Sequence, residues 1–275
     1  MIRQRVALAR KAIAVVGPSY RRLTLARAAC RVSKRETFFR LACWREMFSW
    51  KYANQDCLER EFSAFVRSEK FPCVGAKSAL GRGTLKVVAC RSLTSSWDDV
   101  RMHEIARDWA QSYKRNPGLF RSLAFVFEGP SDLGEESFEE ALWERLQSMT
   151  DKDEWRGIAA DKRVSSDPED PHFSLSFGGE AFFVVGLHPN ANRPGRRFSR
   201  PAMVLNLHDQ FEQLRNSGRY EGLRNAILAR DEQLAGTINP MLARHGEISE
   251  ARQYSGRQIS GDWECPFSRG QIEDS

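Results

Sequence analysis

Three apolar runs stand close together in the second half of the chain, at residues 173–177, 181–187 and 202–207, and their separators constrain the fold more than any other feature. Only Gly178-Gly179 and Glu180 part the first two, so these are expected to pair as a hairpin. The second separator is a glycine- and proline-shaped loop, after which the third run returns. Upstream, residues 85–90 and 122–127 also read as strands. Helical periodicity covers residues 36–69, with Leu58, Phe62, Phe65 and Val66 on one stripe. It returns at 97–114, where Ser95 or Ser96 is the expected cap and Asn116-Pro117-Gly118 the stop, and again at 135–149, 208–216 and 220–234. Proline after Phe71 ends the first helix, and the spaced Gly75, Gly81 and Gly83 are expected to form a loop. Strands mixed with helices, some in hairpin order, predict an α+β (mixed α/β) single domain with a central, mostly antiparallel or mixed sheet flanked by helices.

Charge divides the chain at about residue 50. Residues 1–50 hold twelve Lys/Arg against Glu36 and Glu46, and the whole chain is +6, so residues 51–275 are net acidic. The first segment is therefore expected to be a basic extension, weakly ordered or helical, and the second the functional body. An arm for nucleic acid or a membrane surface, an organelle-targeting segment and a passive leader all fit such a composition, and the passive leader is the expectation adopted. No apolar run is long enough to cross a bilayer, which points to a cytoplasmic protein without a membrane partner. The six cysteines, at 30, 43, 57, 73, 90 and 265, show no paired spacing; they suit a reducing compartment and do not suggest structural zinc.

Reactive side chains concentrate in three places. His188 ends the second apolar run, Pro189 holds it extended, and Arg193, Arg196, Arg197 and Arg200 follow. An imidazole beside guanidinium groups places a metal-capable base next to an anion pocket. Haem uses both, because iron takes an axial ligand and the propionates take arginines. A phosphate, an acidic substrate or a solvated basic loop uses the same features. In the second cluster, a helix starting near His208 places His208 and Glu212 on one face. That arrangement suits a non-haem iron site, a histidine with a supporting carboxylate, or a plain helix start. If the runs flanking the arginine loop pair antiparallel, His188 and His208 fall at opposite ends of the sheet and one site does not draw on both. Cys73 is the third candidate: Lys77 is expected to lower its pKa, and a thiolate is the haem ligand that favours O–O cleavage. A small buried residue is the alternative. Gly81-Arg82-Gly83 lacks the rest of a dinucleotide fingerprint. His103 is expected in the core or on the surface of a helix, and His172 and His245 have no convergent partners.

Taken together, Phe71-Pro72-Cys73-Val74-Gly75-Ala76-Lys77-Ser78, Gly186-Leu187-His188-Pro189 with its arginine loop, Leu205-Asn206-Leu207-His208-Asp209-Gln210-Phe211-Glu212, Ala251-Arg252-Gln253-Tyr254-Ser255-Gly256-Arg257 and Cys265-Pro266-Phe267 resemble the YqcI/YcgG family from about residue 50 to 268. Members of that family include haem-dependent enzymes that hydroxylate a guanidine nitrogen, in D-cycloserine and in guanitoxin biosynthesis. The resemblance implies haem b as cofactor, dioxygen with an electron donor or peroxide as oxidant, and N–H to N–OH chemistry on a small amino-acid substrate such as L-arginine. Within it, His188 is the first choice as axial ligand, with Arg193, Arg196 and Arg197 on the propionates. His208 is the alternative ligand or a distal acid/base, Cys73 a further ligand or part of the pocket, and Glu212 or Asp209 the grip on a guanidinium. Competing readings are a non-haem metal oxygenase built on His208 and Glu212, and a haem carrier or sensor without turnover. A nucleic-acid binder built on residues 1–50 is disfavoured by the acidic body and the lack of a recognition module. The sequence carries no statement of oligomeric state.

Overall fold

The computed structural model describes residues 54–239 and 246–269; the basic extension, Cys30, Cys43 and His245 lie outside the described residues. Helix α1 (Gln55–Arg67) buries the stripe Leu58, Phe62 and Val66 that its periodicity predicts. The segment after Pro72 departs from expectation: it is a helix, α2 (Val74–Gly81), and not a glycine loop. Its start is fixed by Cys73, whose sulfur accepts the N–H of Ala76, and one good N-cap outweighs the weak helix propensity of Gly75.

Strand β1 (Leu85–Ser92) follows, then a single 3₁₀ turn (Ser96–Asp98) capped by Ser95, and α3 (Asp99–Arg115). Strand β2 (Ser122–Gly129), α4 (Glu135–Trp155) and the hairpin β3 (Leu175–Phe177) and β4 (Glu180–Leu187) come next. Gly178 and Gly179 turn that hairpin with φ of +61° and +75°, the left-handed region that only glycine enters cheaply. After the arginine loop come β5 (Ala202–Leu207), α5 (His208–Asn216), α6 (Tyr220–Ala235) and a single turn, α7 (Ala251–Tyr254).

The five strands form one sheet in the order β1-β2-β5-β4-β3. β1 and β2 run parallel, joined by α3 as the crossover, and every other pair is antiparallel. The fold is thus α+β with a mixed sheet. Gln55 covers the outer edge of β1: its side-chain amide donates to Val87 O at 3.0 Å and accepts from Ala89 N at 2.8 Å, as a neighbouring strand would.

Alternation divides the sheet into two faces. Phe125, Phe127, Phe182, Val184, Met203 and Leu205 point into a core closed by α3, α4 and the segment around Tyr254 and Phe267. Val87, Ala89, Ala124, Val126 and Val204 point the other way, against α1 and Phe198. His103 is core, as expected, with Nε2 2.6 Å from Asp153. No described helix is long and apolar enough to cross a membrane.

Candidate functional site

On the second face, packing among the described residues stops short of closing. Val185, Leu187 and Val204 of the sheet, Phe71 and Pro72 ahead of α2, and Phe211 and Leu214 of α5 surround a cavity of about 290 Å³. Its far wall is α6. Tyr220, Leu223, Arg224, Ile227, Leu228 and Asp231 all line the cavity, one helical stripe, yet only Asp231 of the whole helix is buried. A helix that turns Leu223, Ile227 and Leu228 to a cleft and not to the core leaves apolar surface for a ligand to cover.

Cys73 is the soft donor on this wall. It is half-buried at the N-terminus of α2. Burial pushes its thiol above the usual range, while the N–H groups of Ala76 and Gly75 pull it back. The expected help from Lys77 does not arise: its ammonium donates to Ser68 O at 2.6 Å, and the net direction is upward. A metal bound to the sulfur would displace that proton, and helix N–H groups would then steady the thiolate.

The arginines also reach the cleft, but unequally. Arg193 and Arg196 line it; Arg197 does not, and its guanidinium donates to the carbonyls of Ala191 and Asn192 in its own loop. Arg193 is ion-paired with Asp231. Arg196 donates to the carbonyls of Gly186, Tyr254 and Gln253, so its acceptors are all neutral and no described carboxylate touches it. Desolvation brings it from 12.5 down to about 10, Arg193 adds to that, and Asp231 opposes it. A desolvated cation held by neutral acceptors favours an anion in the cleft. Gly195, between the arginines, lies so close to Pro72 that an added Cβ would stand 2.8 Å from the proline ring, which couples the arginine loop to the Cys73 turn.

His188 and His208 do sit at opposite ends of the sheet, since Leu187 pairs with Ala202 and Phe182 with Leu207. Neither lines the cleft. His188 is buried and stacked on Phe138, with ring centroids 4.2 Å apart and planes 17° from parallel. Its Nδ1 has no hydrogen-bond partner, and burial together with the Arg196 charge brings it from 6.5 to about 4. That describes a neutral packing group. His208 lies with Nε2 3.4 Å from Glu212 and Nδ1 3.8 Å from Glu250. Glu212 is also paired with Arg215, and Asp209 accepts from Tyr113, Gln213 and Arg163; neither acid lines the cleft. The acids that do are Asp231 and Glu250, which the sequence reading missed. The stripe on α6 was a signal for the first; for Glu250, which precedes a single helical turn, sequence offered none.

The chain matches the sequence profile of the YqcI/YcgG family over residues 62–268. It belongs to that family. Among YqcI/YcgG proteins it is similar to the uncharacterized protein YcgG of Bacillus subtilis (strain 168), at 24% identity over 220 residues, 73% of this chain and 82% of the relative. No solved structure matches. The family segment runs from Phe62 on α1 to Ser268, just past Phe267, so the sheet, the cleft and Cys73 all fall inside it.

Among the described residues no group of three or more His, Cys, Asp and Glu side chains is arranged to hold a metal ion, so the non-haem reading of His208 and Glu212 has no complete donor set there. A porphyrin needs less from the protein, because it brings four nitrogens itself. One soft donor, cationic arginines and apolar walls line the cleft, and those side chains are the chemistry a haem site draws on.

Proposed function

We propose that the cleft binds haem b and that the chain is a haem-dependent N-hydroxylase of an amine or guanidine, with L-arginine as the first substrate to test. The observation that carries this reading is the pairing, on one apolar cleft, of Cys73 with an Arg196 whose charge no described carboxylate contacts. Haem is the common cofactor whose needs match that pair: a ligand for iron and cations for its propionates.

Cys73 would hold the iron, which moves the ligand role from the sequence's first choice, His188. His208 is not assigned as a ligand. Arg193 and Arg196 would meet the propionates, and the stripe on α6 would cover the ring edge. Bound there, haem supplies the activation of dioxygen or peroxide and the delivery of one oxygen atom to a substrate nitrogen. The N–H of Ala76 would keep the sulfur in its thiolate form by donating to it. Glu250, an acid on the cleft wall, would meet a cationic nitrogen there. Phe71, Leu214 and Ile227 would exclude water from that end of the cleft.

The direct test is incubation of hemin-loaded protein with L-arginine and peroxide, read by mass. A gain of one oxygen is expected. A gain on another amine, with none on arginine, keeps the chemistry and changes the substrate; no gain on any amine or guanidine leaves a haem carrier and removes the catalytic reading.

A further inference from the structure

Glu250 sits just ahead of α7 and is itself buried. One carboxylate oxygen accepts the Ser174 hydroxyl at 3.0 Å, and the other lies 3.8 Å from Nδ1 of His208, an ion-pair distance longer than a hydrogen bond. The second ring nitrogen, Nε2, lies 3.4 Å from Glu212. The side chains of Glu250 and His208 are each 7% exposed, whereas that of Glu212 is 43% exposed. An acid on the cleft wall, a buried imidazole and an acid in water therefore follow one another. An imidazole with a carboxylate at each nitrogen can take a proton on one side and release it on the other.

We propose that Glu212, His208 and Glu250 form a proton path between bulk water and the cleft, an inference that rests on the oxygenase reading above. Glu212 takes a proton from water and passes it to Nε2. The imidazolium then releases its Nδ1 proton to Glu250, through one water or a small closing movement of the carboxylate that bridges the 3.8 Å between them, and Glu250 delivers it in the cleft. One proton moves inward and no electron moves; the ring begins as the Nδ1–H tautomer, ends as the Nε2–H tautomer, and turns over before the second proton follows. Inserting one atom of dioxygen into an N–H bond consumes two protons and two electrons from a donor and releases water; hydrogen peroxide already carries both pairs. The path therefore matters for turnover driven by dioxygen and an added reductant, and not for turnover driven by peroxide.

Charged groups stand around the path among the described residues, Arg224 on the same cleft wall as Glu250 among them. Arg215 holds Glu212 from the same helix. Asp209 is tied to Tyr113 of α3, to Gln213 and to Arg163, and Arg163 also binds Asp161 and Glu180. Ser174 holds Glu250 from the segment before β3.

Two measurements test the path. In the full chain labelled with ¹⁵N-histidine, the titration midpoint of His208 should fall by about one pH unit in Glu250→Gln and again in Glu212→Gln, because each variant removes an adjacent anion. A midpoint unmoved by Glu250→Gln overturns the path. Should that variant fail to fold, Glu250→Asp replaces it, with a smaller fall expected and no change again overturning the path. In hemin-loaded protein with dioxygen, electrons supplied by NADPH through a ferredoxin reductase and ferredoxin, and catalase present to remove stray peroxide, His208→Gln should lower kcat roughly a hundredfold with KM unchanged, and in a separate assay without catalase should spare the peroxide-driven rate. An unchanged kcat with a raised KM in Glu250→Gln makes Glu250 a substrate anchor alone and also overturns it. If hemin does not bind at all, the oxygenase reading falls, and the ring titration still decides whether the three groups are coupled.

Discussion

His188 is worth following at the scale of one side chain because it was the first choice for a ligand and its surroundings argue for another role. Stacked on Phe138 and held near 4, it stays neutral in the folded chain at neutral pH. In the unfolded chain it titrates near 6.5, so between about 4 and 6.5 the unfolded state binds more protons. Its contribution to stability is therefore complete above 6.5 and is lost as pH falls towards 4. Thermal unfolding of His188→Phe, which keeps a ring against Phe138, should lose less stability than the parent chain between pH 7 and pH 4.5. Parallel losses would contradict the buried neutral assignment. Legibility in sequence was uneven at this scale. The opposite placement of His188 and His208 followed from strand order alone. The loss of Arg197 from the cleft did not, because whether a guanidinium turns inward or onto its own loop carbonyls depends on backbone that spacing does not specify.

At the scale of elements, α6 and α2 carry the account. The stripe of α6 faces the cleft, so a charge placed there should damage ligand binding more than folding. Ile227→Glu should weaken hemin binding about tenfold or more, by setting a carboxylate against an apolar ring, while the melting temperature stays within a few degrees. A large loss of stability with unchanged hemin affinity would show that the stripe belongs to the core. The sequence marked α6 as helical but did not say what it faced, since a stripe against a core and a stripe against a ligand have the same period. It misread α2 outright. Three glycines within nine residues, Gly75 to Gly83, looked like a loop. The cap at Cys73 is a tertiary detail made possible by the turn at Pro72, and it is what turns the Cys73 sulfur towards helix N–H groups.

At the scale of the described body, the sheet acts as a partition. One face is sealed by α3 and α4; among the described residues the other is covered by α1 at one end and left open over β4 and β5, where α2, α5 and α6 ring the cleft. The hairpin, the helix at 97–114 and a sheet either mostly antiparallel or mixed were readable because periodicity and turn glycines act locally; that this helix is a crossover between parallel strands was not. The cleft was not, since Phe71, Leu187, Ile227 and Glu250 meet only when the sheet is assembled. Titration of hemin into the purified full chain, followed by absorbance, tests the central claim most directly. The account predicts a saturable Soret band at one hemin per chain, changed or lost in Cys73→Ser and retained in His188→Ala. No band in the parent chain, or a band lost in His188→Ala and unaltered in Cys73→Ser, would contradict it.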